Sequence, residues 1–252
     1  MGISLPALPD VAFLYENRTS QDFQQSDSRL THAIKAVAFR RQARVLLRQV
    51  RCRPDRVVDF GCGSGQFTRQ LAELLPGSTV IGTDFHPTPP AELGNDRYRP
   101  LGSTDDLSGR ADLVLAMHVL EHDDDPLAML ARIARFAKPG ARLVIEVPNV
   151  DCIWAGVFGR YWDAWYLPYH RVHFSRESLC RLLTHRGLTI EVETSACVPT
   201  MGRTFANILG GRNTVIFLLL GIALHPVQWL GERLSGRPSA LRVIARLPTG
   251  FA

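Results

Sequence analysis

The chain has few cysteines and no long apolar run, and both shortages narrow what it can be. Its five cysteines, Cys52, Cys62, Cys152, Cys180 and Cys197, are odd in number and never spaced as C-x-x-C. That argues against a disulfide framework or a zinc knuckle and for reduced thiols in a cytoplasmic setting. The longest apolar stretch, Val215 to Leu224, is ten residues, where a bilayer span needs about twenty. The N-terminus lacks a basic stretch leading into an apolar core, so no secretory leader is expected. The glycine fingerprint G-x-G-x-x-G is missing, and so is a Gly-Lys-Ser/Thr phosphate loop. Net charge is +5, but the arginines are scattered and neither a basic helix nor arginine interleaved with aromatics occurs. The charge is read as a mildly basic surface, with no nucleic-acid partner.

Against these absences, 46% of the 252 residues are apolar, enough for one domain of generous size, or one domain with an appended lid. Residues 1–32 are proline-rich and then polar, and are expected to be loosely ordered. The domain proper is placed at 33–252. From Thr31 to about Val50 the pattern is helical, with Ala33, Val37, Leu47 and Val50 on its apolar stripe. Arg56 to Phe60 reads as a strand entering the turn Gly61-Cys-Gly-Ser-Gly65, and a helix runs from Gln66 to Leu75, stopped by Pro76-Gly77. Thr79 to Thr83 is a second strand, ending on Asp84. Residues 86–102 read as an irregular connection. A third strand at Ala111 to Met117, a helix at Pro126 to Ala137 and a fourth strand at Arg142 to Val147 follow. Ala240 onward is a last strand, antiparallel at the sheet's edge. Strands alternating with helices give an α/β fold with a mostly parallel sheet covered on both faces.

The most informative pair is the glycine turn and Asp84, nineteen residues after Gly65. In such a sheet these strand ends lie side by side at the crevice where nucleotides bind, and an acid there accepts from ribose hydroxyls. The stretch D-x-G-C-G-S-G followed by Asp84 resembles motif I of the S-adenosylmethionine-dependent methyltransferases with a Rossmann-like, seven-stranded fold. The run Ala111 to His122, then Asp125-Pro126, Lys138-Pro-Gly and Ile145-Glu-Val-Pro-Asn149, is similar to the family's later signatures in order. Pro168-Tyr-His-Arg-Val-His-Phe resembles the subgroup containing ubiquinone-biosynthesis O-methyltransferases and sugar- or polysaccharide-linked methyltransferases. The resemblance spans about 33–195.

It implies S-adenosylmethionine as cofactor, with Asp59 ordering the glycine loop and helping to hold the methionine amino group. Gly61, Gly63 and Gly65 would give backbone contact, Asp84 would take the ribose and Phe85 would pack on adenine. Where the family has an acid for the adenine amino group, this chain has Ser103; Asp105 or Asp106 is the alternative. The helix before motif I would cover the cofactor and join the lid. The Asn/Asp-Pro-Pro-Tyr/Phe loop of amino-methylating nucleic-acid enzymes is absent, Met117-His118-Val119-Leu120 standing in its place.

The reading is methyl transfer to a hydroxyl of a small-molecule or lipid-linked acceptor. C-methylation or sugar methylation is the in-class alternative, and a cofactor-binding scaffold without turnover is the alternative from another class. A hydroxyl needs a base, and His173, His170 and His118 are the candidates. His118 also stands at the mouth of the cofactor crevice, whereas the Glu121-His122 pair reads as structural or cofactor-positioning. The acidic run Asp123-Asp124-Asp125 reads as a solvated turn, so no obligatory metal is expected. Segments 150–175 and 200–236 are lid or insertion segments. Within the second, 214–230 reads either as a lid or dimer helix, broken at Pro226, or as a helix dipping into the inner membrane face. Oligomeric state stays open.

Overall fold

The computed structural model describes residues 3–4, 29–211 and 214–249. In chain order the elements are β1 (Ile3–Ser4), α1 (Arg29–Val50), β2 (Arg56–Phe60), α2 (Gln66–Leu74), β3 (Thr79–Asp84), β4 (Tyr98–Pro100), β5 (Ala111–Met117), α3 (Pro126–Ala134), β6 (Ala137–Pro148), α4 (Ile153–Phe158), β7 (Val172–His173), α5 (Arg176–His185), β8 (Thr189–Ala196), α6 (Met201–Ile208), α7 (Val215–Ser235) and β9 (Ala240–Arg246). Seven strands form one sheet in the order β4-β3-β2-β5-β6-β9-β8. The pairs from β4 through β6 are parallel, while β9 runs antiparallel to both β6 and β8. The sheet is Rossmann-like, as the glycine turn and the strand–helix alternation imply. Its order reverses between β2 and β5, whose carboxyl ends open the crevice where ligands of such sheets bind.

Both faces are covered because the inner strands are apolar on both sides. Ala43, Leu46 and Val50 of α1 and Phe67 and Leu71 of α2 pack on one face. Leu130 and Ile133 of α3 and Leu179 and Leu183 of α5 fill the other. The expected stripe of α1 holds at Leu47 and Val50 and fails at Ala33 and Val37, Val37 being 72% exposed. The residues pointing inward follow Ala43 at i+3 and i+7, which is where α2 lies.

Several boundaries differ from expectation. β9 is an interior strand, every residue from Ala240 to Ala245 being buried, and β8 forms the edge. The alternating half-exposure of β8 is what one buried face produces. A short strand, β4, sits inside the connection expected to be irregular, pairing with β3 through Gly82 and Tyr98. The helix at Pro126 ends at Ala134, and β6 begins at Ala137, because Ala137 pairs with Ala111 ahead of Lys138-Pro139-Gly140. α7 does not break at Pro226. It continues to Ser235, since Pro226 and Ile222, whose carbonyl loses its partner, both face solvent.

Of the segment 1–32, residues 5–28 lie outside the described residues. Ile3–Ser4 pairs antiparallel with Val172–His173. Segments 150–175 and 197–239 leave the same edge of the sheet, after β6 and β8, and pack on each other. Phe158 meets Phe205 edge-on at 5.8 Å, Arg203 pairs with Asp163 at 2.9 Å, and Gly202 and Gly221 bring α6 and α7 into backbone contact.

Candidate functional site

The glycine turn is held open by hydrogen bonds rather than by side chains. Gly61 and Cys62 donate their N–H groups to the Thr83 carbonyl, and Gly63 N–H donates to Asp84 Oδ2 at 2.8 Å. Gly61 has φ +74°, and a Cβ there would stand 2.5 Å from Val119 Cγ2, so only glycine fits. Around Gly63, at φ +52°, a Cβ would meet nothing within 4 Å: the backbone faces open space that a ligand can enter.

Two acids flank this space. Asp84 closes β3, accepting from Gly63 N–H and from Phe85 N–H at 2.8 Å. Asp59 is 3% exposed and accepts from Thr68 Oγ1 at 2.6 Å. Burial pushes its carboxyl up to about 7 against the opposing Thr68 bond, and the charge of Asp84 adds to the rise. Beside Asp84, Phe85 is 51% exposed. At the start of α2 the Gln66 Oε1 atom is buried with no hydrogen-bond partner. Ser103 and Asp105 lie exposed in two consecutive 3-10 turns after β4; Asp106, the alternative, pairs with Arg99 at 3.4 Å.

The second half of the site gathers around Glu121, in a 3-10 turn beyond β5 and 1% exposed. His118, in the left-handed region at φ +57°, lies between two carboxylates, Nδ1 at 3.3 Å from Glu121 Oε1 and Nε2 at 3.2 Å from Glu146 Oε1. Burial works against its charge, but the bonds to Glu121 and Glu146 prevail and raise it to about 10. Glu146 in turn receives Arg242 at 2.6 Å, and Arg242 donates to Gln49 at 3.0 Å. Arg171 N–H donates to the Glu121 carbonyl at 2.7 Å, stapling the 166–173 segment onto this turn. His170 Nε2 then lies 3.9 Å from Glu121 Oε1, and the His170 and His173 rings are 6.2 Å apart. His173 packs edge-on against Trp165 at 5.1 Å. Burial lowers His170 to about 4 and lowers His122 and His173 as well, leaving these three rings neutral at physiological pH.

The structure thus brings His118, His170 and His173 together with Glu121, and separately Asp59, Gly61, Gly63, Gly65, Asp84 and Phe85. The acidic run has local work: Asp125 caps α3 through Ala128 N–H at 2.9 Å, and Asp124 pairs with Arg171 at 2.9 Å. The sequence reading missed the Glu146–Arg242 pair under His118. Its signal was available, a lone acid in one apolar strand and an arginine flanked by apolar residues in another, which the register places opposite each other.

Residues 30–193 match the sequence profile described as "Methyltransferase domain". The chain belongs to the methyltransferase domain family. Among curated relatives of this methyltransferase, the trans-aconitate 2-methyltransferase of Deinococcus radiodurans is 36% identical over 96 residues, covering 36% of this chain and 37% of the relative. The ubiquinone biosynthesis O-methyltransferase of Cereibacter sphaeroides is 36% identical over 105 residues, covering 37% and 41%. The chain therefore spans about two fifths of the length of these relatives. The fold of the Burkholderia thailandensis 1,6-didemethyltoxoflavin-N1-methyltransferase, solved with S-adenosylhomocysteine, superposes with a TM-score of 0.56 at 20% identity over 98% of this chain and 95% of that one.

S-adenosylmethionine is the cofactor this family membership indicates, and the residues present fit it. The open cradle at Gly63 admits the backbone approach a nucleotide ligand needs. Two acids, one of them raised by burial and by the other's charge, favour a ligand that carries positive charge. Asp84 keeps lone pairs for ribose hydroxyls beyond its two backbone bonds, and the unpartnered Gln66 Oε1 is a further acceptor in the helix's first turn. S-adenosylmethionine supplies an electrophilic methyl carbon when bound.

Proposed function

We propose that this methyltransferase transfers the methyl group to a hydroxyl of a small or lipid-linked acceptor, with His173 taking the proton. The observation that carries this reading is the convergence of His118, His170 and His173 on Glu121 beyond β5. Within it the three differ. Both ring nitrogens of His118 face carboxylates, so that ring carries both hydrogens and orients charge instead of accepting a proton. His170 gives its Nδ1–H to the Ala164 carbonyl at 2.8 Å and directs Nε2 at Glu121. His173, buried against Trp165, is the ring whose neutral form suits a base beside an apolar acceptor. Methyl transfer is an in-line displacement, and the chain's share is to hold acceptor and cofactor in line and exclude water. Partial identity to an O-methyltransferase supports the oxygen assignment.

A lipid-linked acceptor is favoured by α7. Among the described residues it is the one helix long and apolar enough to cross a membrane by length and composition. Yet its C-terminal half is tied to the domain, Gln228 bonding the Val198 carbonyl at 2.7 Å and Glu232 bonding Ser239 N–H at 3.0 Å. A helix so anchored lies along a surface. Ile216, Leu219, Ile222, Trp229, Leu230 and Leu234 are exposed on it, and Arg233 stacks over Trp229 at 5.6 Å, a pairing suited to the interface between acyl chains and headgroups.

The test is to incubate the enzyme with methyl-deuterated S-adenosylmethionine and separated lipid and aqueous extracts, then search for a three-deuterium mass shift. Label on an oxygen in the lipid fraction is the expected result. Label in the aqueous fraction alone would leave a sugar or small metabolite as acceptor and reduce α7 to a lid. Binding without label in either fraction would favour a scaffold.

A further inference from the structure

We infer that Glu121, His122 and His170 form a binding site for one divalent transition-metal ion. One ligand-capable atom of each lies within 4.8 Å of the other two. A four-coordinate ion with bonds of about 2.1 Å needs roughly 3.4 Å between ligands, so modest side-chain rotation closes the set. Two histidines and one glutamate are a ligand combination that leaves positions open to a small oxygen ligand.

Three independent features point to an ion rather than to packing. First, Glu121 is 1% exposed and its Oε2 atom has no hydrogen-bond partner, although its Oε1 meets His118. A buried carboxylate oxygen left unpaired is costly, and a cation satisfies it. Second, both imidazoles have their tautomers fixed by backbone. His122 Nδ1 is 3.1 Å from the Tyr169 carbonyl and His170 Nδ1 is 2.8 Å from the Ala164 carbonyl. A carbonyl only accepts, so Nδ1 carries the hydrogen in each ring and Nε2 keeps the lone pair, an outer arrangement typical of histidines that ligate metals. His170 Nε2 is the nitrogen that faces Glu121, at 3.9 Å. Third, the geometry is fixed from two sides of the chain: the turn after β5 supplies Glu121 and His122, the segment before β7 supplies His170, and Arg171 N–H bonds the Glu121 carbonyl.

The set differs from the acidic run that the sequence brings to attention, and it departs from the expectation of no obligatory metal. Imidazole ligands favour zinc, with cobalt(II) as its spectroscopic stand-in, over magnesium and manganese, which prefer oxygen ligands. The site itself stands on these residues alone, whereas its role rests on the hydroxyl-methylation reading. There the ion would hold the acceptor oxygen near His173; the hydroxyl proton passes to that imidazole, the O–C bond forms, and the C–S bond breaks with its electron pair left on sulfur.

The experiment is a cobalt(II) titration of the tag-free full chain after chelation, followed by visible absorption and calorimetry without any acceptor present. One equivalent should bind with micromolar or tighter affinity and give the intense d–d bands of a low-coordinate nitrogen/oxygen site. Glu121→Gln and His170→Ala should each weaken it at least a hundredfold, Asp124→Asn should not, and S-adenosylhomocysteine affinity should stay within about threefold in all three. Weak, multiple binding by the parent protein, or unchanged binding by both ligand variants, overturns the site. Should the ligand variants lose S-adenosylhomocysteine binding, X-ray absorption on the parent protein decides. Imidazole scattering from two histidines supports the assignment, and a shell of oxygen alone overturns it. Because no acceptor is involved, a cobalt site without methyl transfer would fault the hydroxyl reading and leave the site intact.

Discussion

Replacing Asp59 with asparagine will stabilise the ligand-free protein, and the gain will grow with pH. Asp59 is 3% exposed, and its carboxyl titrates near 7 in place of 3.8, chiefly through burial, with Asp84 adding repulsion. A carboxyl raised by folding holds its proton more tightly in the folded chain than in the unfolded one. Stability is therefore highest at low pH, falls as pH rises from the unfolded to the folded value, and stays low above it. With about 1.4 kcal/mol per unit, the penalty approaches about 4 kcal/mol near pH 8 and is under about 2 kcal/mol near pH 5. Asparagine cannot ionise but can still accept from Thr68 Oγ1. Whatever its packing costs, they are the same at both pH values and cancel in the difference. Urea unfolding of parent and variant at the two pH values should show the variant's advantage increasing by about 2 kcal/mol from the lower to the higher. An advantage independent of pH would refute the assignment of a strained, ionisable Asp59. The same variant should bind S-adenosylmethionine less well, the trade between stability and function expected of a prepaid binding site.

Four other outcomes can be checked. Asp84→Ala should weaken cofactor binding by about 2 kcal/mol or more in calorimetry, because it removes a charged acceptor from two hydroxyls; unchanged affinity would sink the cofactor assignment. His173→Ala should lower turnover roughly a hundredfold with cofactor affinity spared, and a near-normal rate would take the role from this residue. Gly202→Ala would set a Cβ 2.1 Å from the Phe217 carbonyl oxygen. It should part α6 from α7 and raise hydrogen exchange across 201–235 while leaving S-adenosylhomocysteine binding intact; unaltered exchange would contradict the close packing. Leu219→Glu on the exposed face of α7 should abolish flotation with anionic vesicles, and parent protein that never floats would dismiss the membrane reading.

Much of the cofactor site is legible in the sequence because its parts are contiguous. Strand, glycine turn and helix between Arg56 and Leu74 follow one another without a gap, and each carries its own local signal: apolar run, glycines at positive φ, helical periodicity. Asp84 needs only the inference that neighbouring parallel strands end at the same edge. β8 and β9 show where such reading falters. The strand from Ala240, expected at the edge, lies inside the sheet, because edge or interior position depends on which other strands flank it, here β6 and an unforeseen β8. Pro226 misleads for a related reason, since a proline ends a helix only when its orphaned carbonyl cannot reach water.

The sequence by itself determined the parallel sheet and the crevice with Asp84 at its rim, since these follow from short-range periodicity and from spacing along one strand–helix–strand unit, while Asp59 entered only through what the family resemblance implies. Tertiary structure alone decided what surrounds Glu121. His118, Glu121 and His122 come from one turn and His170 and His173 from another about fifty residues on, and Glu146 and Arg242 from strands nearly a hundred apart. Their protonation, tautomers and ability to hold a proton or an ion depend on distances of a few ångströms, and burial strengthens every charge there. Those distances are set only when the 166–173 segment folds back over the end of β5.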